Sequence, residues 1–267
     1  MKGFTLYFGP DENSLRPNPN PARKRGAPTG PVDAFEAGRV GVAAPGIASE
    51  EWPRSSKTGL PMMHVLTLRL PEHFRRKGAD LPGIAFFAGQ GQFAEGFERT
   101  EGDPFLAQLD ASRVHPRFTL LTDIIDGEWG LMWLTEDELS GLTEPPEDVR
   151  RTGEHVDTSE GVNAWDSQPA EEKVWLVANG DPNVGTAPTE DDDESDYVDP
   201  FDENYGLRDW AEPISGTCHL GGTVFPVQAL PDGLTGYVLE LEELEHVNFG
   251  GGNAQIDLES GAFDWAC

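Results

Sequence analysis

Glycine and proline punctuate this chain so densely that its apolar residues occur only in runs of strand length. With 31 Gly and 22 Pro in 267 residues, no amphipathic helical period is sustained, and turn chemistry recurs throughout. A helical bundle is therefore excluded, and the expected architecture is one of short strands joined by turns and long loops. The hydrophobic fraction of 37% is below that of an average globular chain, which leaves room for much irregular structure.

The runs are read in order. Residues 2–8 form a first strand, followed by a Pro-, Asn- and Arg-rich loop over 10–31. Gly59-Leu60-Pro61 introduces a strand from Met62 to Leu70, with Leu66, Leu68 and Leu70 on one face. A basic turn or short helix through Phe74–Lys77 leads to Leu81–Gly89, a continuous apolar run that reads as a buried strand. Asp103-Pro104-Phe105 has the form of a helix start, and Thr135 to Glu138 has capping-box spacing. Further strands are expected at Phe118–Ile125, Val174–Ala178, Val224–Gln228, Tyr237–Leu241 and Asn253–Leu258, the last following Gly250-Gly251-Gly252. The chain closes on Phe263 and Trp265.

Charge narrows the function. Forty-eight acidic residues against nineteen basic ones give a formal charge of −29, which repels nucleic-acid backbones and anionic membranes and favours a cationic partner. The N-terminal apolar run is too short for a signal peptide, and no stretch has the length of a membrane span. The expected location is the cytoplasm, with no nucleic-acid or membrane partner.

Catalytic and metal motifs are not found. Cys218 and Cys267 give neither a disulfide framework nor a paired-cysteine zinc signature. The six histidines carry no HExxH spacing, there is no GxSxG elbow, and adjacent Cys218 and His219 would point apart on a strand. The glycine clusters lack the lysine and helix context of a phosphate loop. No catalytic residue, metal or cofactor is assigned.

The strongest functional feature is an acidic segment interleaved with aromatics. Asp191, Asp192, Asp193, Glu194 and Asp196 cannot pack at neutral pH, because each carboxylate resists leaving water beside its neighbours. Tyr197, Phe201 and Trp210 follow. Carboxylates that steer a basic surface, with aromatics that anchor it, define an interface for a basic protein such as a nuclease. The alternative is a small-ligand or hydrolytic pocket in which His64, His219, Gln228 and His246 converge.

An alternating leucine strand, a loop and a glycine-flanked apolar strand occur near 62–89 and again near 237–258. Together with Trp52-Pro53, Gly59-Leu60-Pro61, Gly83–Phe87, His219-Leu220-Gly221-Gly222, Gln228, Leu239-x-Leu241 and Phe249-Gly250-Gly251-Gly252-Asn253 running on to Phe263-x-Trp265-x-Cys267, this order resembles the YwqG-like family. The Leu241 strand departs from that pattern: where the family carries a Gln and an aspartate soon after, this chain has Glu240, Glu242 and Glu243. The resemblance implies a duplicated α+β sheet architecture without an established activity. Its members lie in bacterial loci that sometimes also hold secreted toxins, which implies an immunity role.

The combined expectation is a β-rich α+β protein with short helices and long loops. It is a single domain over 1–267, with half-repeats at 38–125 and 214–267 around an acidic middle at 140–212. Its expected function is non-catalytic: neutralising a basic toxin effector through its acidic surface.

Overall fold

The computed structural model describes residues 1–18, 33–56, 59–89, 110–123, 127–146, 164, 169–189, 195–244 and 246–267. The described chain is strand-rich, and its helices are few. In chain order the first strands are β1 (Gly3–Phe8), β2 (Ala34–Val40), β3 (Ala44–Pro45), β4 (Met63–Arg69) and β5 (Gly83–Ala88). They are followed by β6 (Phe118–Thr122), β7 (Glu128–Leu134), β8 (Leu142–Thr143) and β9 (Glu172–Asn179). The last four are β10 (His219–Leu220), β11 (Val238–Glu242), β12 (Asn253–Asp257) and β13 (Phe263–Ala266). The helical elements among the described residues include a short α-helix, α1 (Glu136–Ser140), and 3-10 turns at Ser49–Glu51 and Glu72–Phe74.

The chain divides into two compact units. The first is discontinuous, joining Met1–Gly38 to Glu172–Cys267, and the second is Arg39–Glu171. Strand β2 runs across the point of division.

In the second unit the antiparallel order is β4, β5, β7, β6. Strands β5 and β7 are buried along their whole length, which explains why Gly83–Ala88 reads as a continuous apolar run rather than an alternating one. The β4 register shifts between His64 and Leu66, so the leucine alternation is interrupted by an irregularity. Trp52, Met62, Phe87, Met132, Leu134 and Leu139 belong to the core on one side, and the indole N–H of Trp52 donates to the Met62 carbonyl at 2.9 Å. Helix α1 starts where the spacing predicts: the Glu138 N–H donates to the Thr135 hydroxyl while the Glu138 carboxylate accepts from the Thr135 N–H.

In the first unit the antiparallel order is β13, β12, β11, β10, β1, β9. Directly paired residues share a sheet face, and two adjacent rows of this sheet differ completely in chemistry. One row is Phe4, Leu220, Leu239, Ile256 and Phe263. The next is Thr5, His219, Glu240, Gln255 and Asp264. The apolar face carries the core residues Phe4, Leu6, Leu239, Leu241 and Ile256, yet Thr5, His219, Glu240 and Gln255 on the opposite face are equally buried.

The expected strand at Val224–Gln228 is not formed; that segment is irregular. Its backbone is used elsewhere, since the Phe225 N–H donates to the Glu240 carboxylate at 2.8 Å, and Pro226 has no N–H to give to a ladder. Strand β7 was not anticipated. The helix expected from Asp103 lies outside the described residues.

The three glycines ahead of β12 have separate causes. Gly250 and Gly251 adopt positive φ, whereas a Cβ on Gly252 would stand 1.5 Å from the Ala266 carbonyl oxygen. The close pairing of β12 with β13 therefore requires a bare Cα there.

Candidate functional site

The polar face of the first unit is covered by chain segments whose own polar groups it satisfies. His219 opens β10 and is fully enclosed. Its Nδ1 lies 2.9 Å from the Thr217 carbonyl and its Nε2 2.6 Å from the Thr223 carbonyl. Both ring nitrogens thus face carbonyl oxygens, which can only accept. Glu240 lies 4.0 Å from the ring, and its carboxylate accepts from Gln255 at 3.0 Å and Phe225 N–H at 2.8 Å. Burial pushes the Glu240 carboxyl above its usual range, while His219 and the N–H donors pull the other way.

A second knot ties the covering segment down. Asp181 accepts from the Thr223 N–H at 2.7 Å and from the Thr223 hydroxyl at 3.1 Å. Gly222 makes this approach possible, with φ of +94° and a Cα so near Asp181 that a Cβ would collide with its carboxylate. Asn183 then grips the Val198 backbone from both sides, donating to its carbonyl at 2.8 Å and accepting from its N–H at 2.7 Å. The segment carrying Tyr197 and Asp199 is thus fixed by a buried amide. The Tyr197 phenol, hydrogen-bonded by Val224 N–H and the Thr223 side chain, is pushed up to about 12 by burial.

Above this floor lies an open groove of about 250 Å³, whose walls include Tyr197, Asp199, Phe201, Val224, Pro226 and Leu230. Val198, Phe201 and Tyr205 in one segment and Val227 in another are exposed, Tyr205 at a left-handed φ of 61°. Asp196, Asp199, Asp202 and Glu203 are exposed as well. Asp202 is held below the usual carboxylate range by the N–H groups of Gly206 and Asn204.

The sequence-based interface residues therefore separate. Tyr197 and Phe201 line the groove, Asp196 is exposed beside them in the chain, and Trp210 is half-buried in the following turn, away from the groove walls. Asp191, Asp192, Asp193 and Glu194 lie outside the described residues. Of the alternative set, His64 belongs to the second unit and is buried, its ring nitrogens 2.9 Å from the Gly41 carbonyl and 2.8 Å from the Thr67 hydroxyl. His219 is occupied as above. Gln228 is exposed and donates to the Cys267 carbonyl at 2.7 Å, and His246 lies half-buried between β11 and β12. Cys218 is enclosed, accepts from the Glu242 N–H at 3.3 Å, and is pushed up by burial and by Glu242, which makes its thiol a poor nucleophile. Among the described residues no group of three His, Cys, Asp or Glu side chains is placed to hold a metal ion.

Sequence reasoning missed the buried network of Asp181, Asn183, Thr223 and Glu240. The alternating polar positions Glu240, Glu242, Asn253, Gln255 and Asp257 were its available signal, but alternation by itself reads as a solvated face.

No protein-family model matches the chain, and neither the curated proteins nor the solved structures contain a significant match. Among the described residues no helix is long and apolar enough to cross a membrane.

Proposed function

We propose that this protein is a non-catalytic binding module whose acidic groove takes a basic protein partner, as an immunity protein takes a toxin effector. The observation that carries this reading is the groove itself: aromatic and aliphatic walls at Tyr197, Phe201, Val224 and Leu230, set in a stretch of exposed carboxylates. An apolar patch within an acidic rim is the composition of a hot spot that steers its partner by charge. The overall charge of −29 extends the steering to long range. The aromatics rest on a hydrogen-bonded floor, so little ordering cost is left for binding.

Membership of the YwqG-like family and a cytoplasmic location belong to the same proposal. So does an internal duplication, supported by the antiparallel three-strand orders β4, β5, β7 and β11, β12, β13, each opened by a leucine-rich strand.

The test is capture from host lysate at low and moderate salt, followed by binding of the purified partner. Three forms are compared: the intact chain, one with Asp191, Asp192, Asp193, Glu194 and Asp196 neutralised, and Phe201→Ala. A basic protein that binds the intact chain, weakens with salt and is lost from both variants supports the reading. A partner indifferent to both variants, or no specific partner, sinks it.

A further inference from the structure

We infer that the groove beside Asp199 is a receptor for an arginine side chain presented by the partner. This deepens the proposed function and rests on it for the source of the arginine, but its geometry stands separately. At about 250 Å³ the groove falls below the range of about 300–1,000 Å³ usual for small-molecule and cofactor sites, and it is open, which suits a projecting side chain.

The walls select the chemistry. Tyr197 spends its hydroxyl inward on Val224 and Thr223, so it offers the groove a ring and not a polar tip. Phe201 is 41% exposed and supplies a second ring. Val224, Pro226 and Leu230 add apolar surface for an aliphatic stem. Asp199 is the charged residue of the lining. Its Oδ1 accepts from the Phe201 main-chain N–H at 2.8 Å, which fixes the carboxylate against the loop backbone; Arg208 directs its Nε to the Asp199 main-chain carbonyl at 2.7 Å, and among the described residues no ion pair forms to the Asp199 carboxylate.

Two aromatic rings with one carboxylate favour a cation. Guanidinium is planar, weakly hydrated and stacks on rings while donating to a carboxylate, whereas an ammonium gives up more hydration on entering such walls. Arginine is therefore favoured over lysine.

The probe is a blocked Gly-Arg-Gly peptide, compared with its citrulline and lysine counterparts, added to the full chain carrying isotope-labelled tyrosine and phenylalanine. The arginine peptide is expected to shift the Tyr197 and Phe201 ring resonances, with citrulline binding at least tenfold more weakly. Asp199→Asn, whose side-chain oxygen can still accept from the Phe201 N–H, is expected to weaken the arginine peptide at least tenfold with the remaining spectrum unchanged. Phe201→Ala, at an exposed position, gives a second, fold-neutral loss.

Citrulline binding as tightly as arginine, or no shift of either ring, overturns the inference; equal affinity for lysine overturns the guanidinium assignment. If a basic protein binds the chain while the peptides leave the groove unshifted, the inference fails and the binding-module reading stands. If the peptides bind but no basic protein does, the partner reading fails and the receptor remains.

Discussion

His219 and Glu240 are paired across β10 and β11, with Nδ1 4.0 Å from Oε1, and both side chains are enclosed by the segments that build the groove floor. The pair is costly to bury, so its persistence depends on the two carbonyls around His219 and the N–H donors around Glu240. His219→Leu leaves Glu240 without its counter-charge. It should destabilise the chain by about 3–5 kcal/mol, while Leu at both positions recovers only part of that loss, because the Phe225 N–H and the Gln255 amide then lose their acceptor. Urea unfolding of the two single variants and the double variant measures the coupling; purely additive losses would remove the ion pair from the account.

Tyr197 joins the floor to the groove, and its titration reports whether the two remain together. Because burial raises its folded-state value from 10.0 to about 12, its neutral form is favoured by folding. The stability this provides is complete below pH 10.0 and is lost as the pH rises through about 12. Tyrosinate absorbance should therefore contain a step near 12 that Tyr197→Phe abolishes. At neutral pH the variant should lose about 1 kcal/mol, the usual value of one hydrogen bond. A step at the ordinary value would mean that the phenol faces solvent.

Legibility in the sequence followed physical range. Strands β1, β4, β5, β9, β11 and β12 were readable because an apolar run bounded by Gly or Pro is a local signal. The Thr135 to Glu138 cap was readable because both partners lie within one turn. Burial of Glu240 was not, since it depends on His219, Phe225 and Gln255 approaching from separate segments. Even the departure of the Leu241 strand from the YwqG-like pattern marked Glu240 as unusual without revealing its partners. Tyr197 and Phe201 can be chosen from composition, but the groove they share needs Val224 and Leu230, which no local pattern places beside them.

Glu138 supplies an acid-side counterpart in the second unit. Burial alone would raise its carboxyl, but hydrogen bonds from Thr135 N–H and hydroxyl, His115 and Arg117 outweigh that and hold it below the usual range. A depressed carboxylate stabilises above its ordinary value of 4.5 and loses that contribution as pH falls through the folded-state value. Glu138→Gln should therefore be least stable relative to the parent at pH 7, with the gap closing in acid. Thr135→Ala should cost about 1 kcal/mol through the lost cap. Thermal melts from pH 7 to pH 3 test both, and a gap independent of pH would assign Glu138 a packing role only.

Asn183 offers the most direct separation of fold from binding. Its side chain is the partner of both the Val198 N–H and the Val198 carbonyl, and Val198 lies between the groove residues Tyr197 and Asp199. Asn183→Ala removes both contacts and also the 2.8 Å bond to the Thr223 hydroxyl. Leaving such groups unmet costs about 1–3 kcal/mol each when they stay buried, but the Val198 segment is near the surface and can turn to water. The loss should therefore fall toward the lower end in unfolding experiments. Its larger effect should be faster amide exchange over 196–201 and weaker binding of a basic partner, because a released segment must be reordered when the partner docks. Unchanged exchange over 196–201 in a folded variant would show that the groove is held by its aromatic packing and not by this amide.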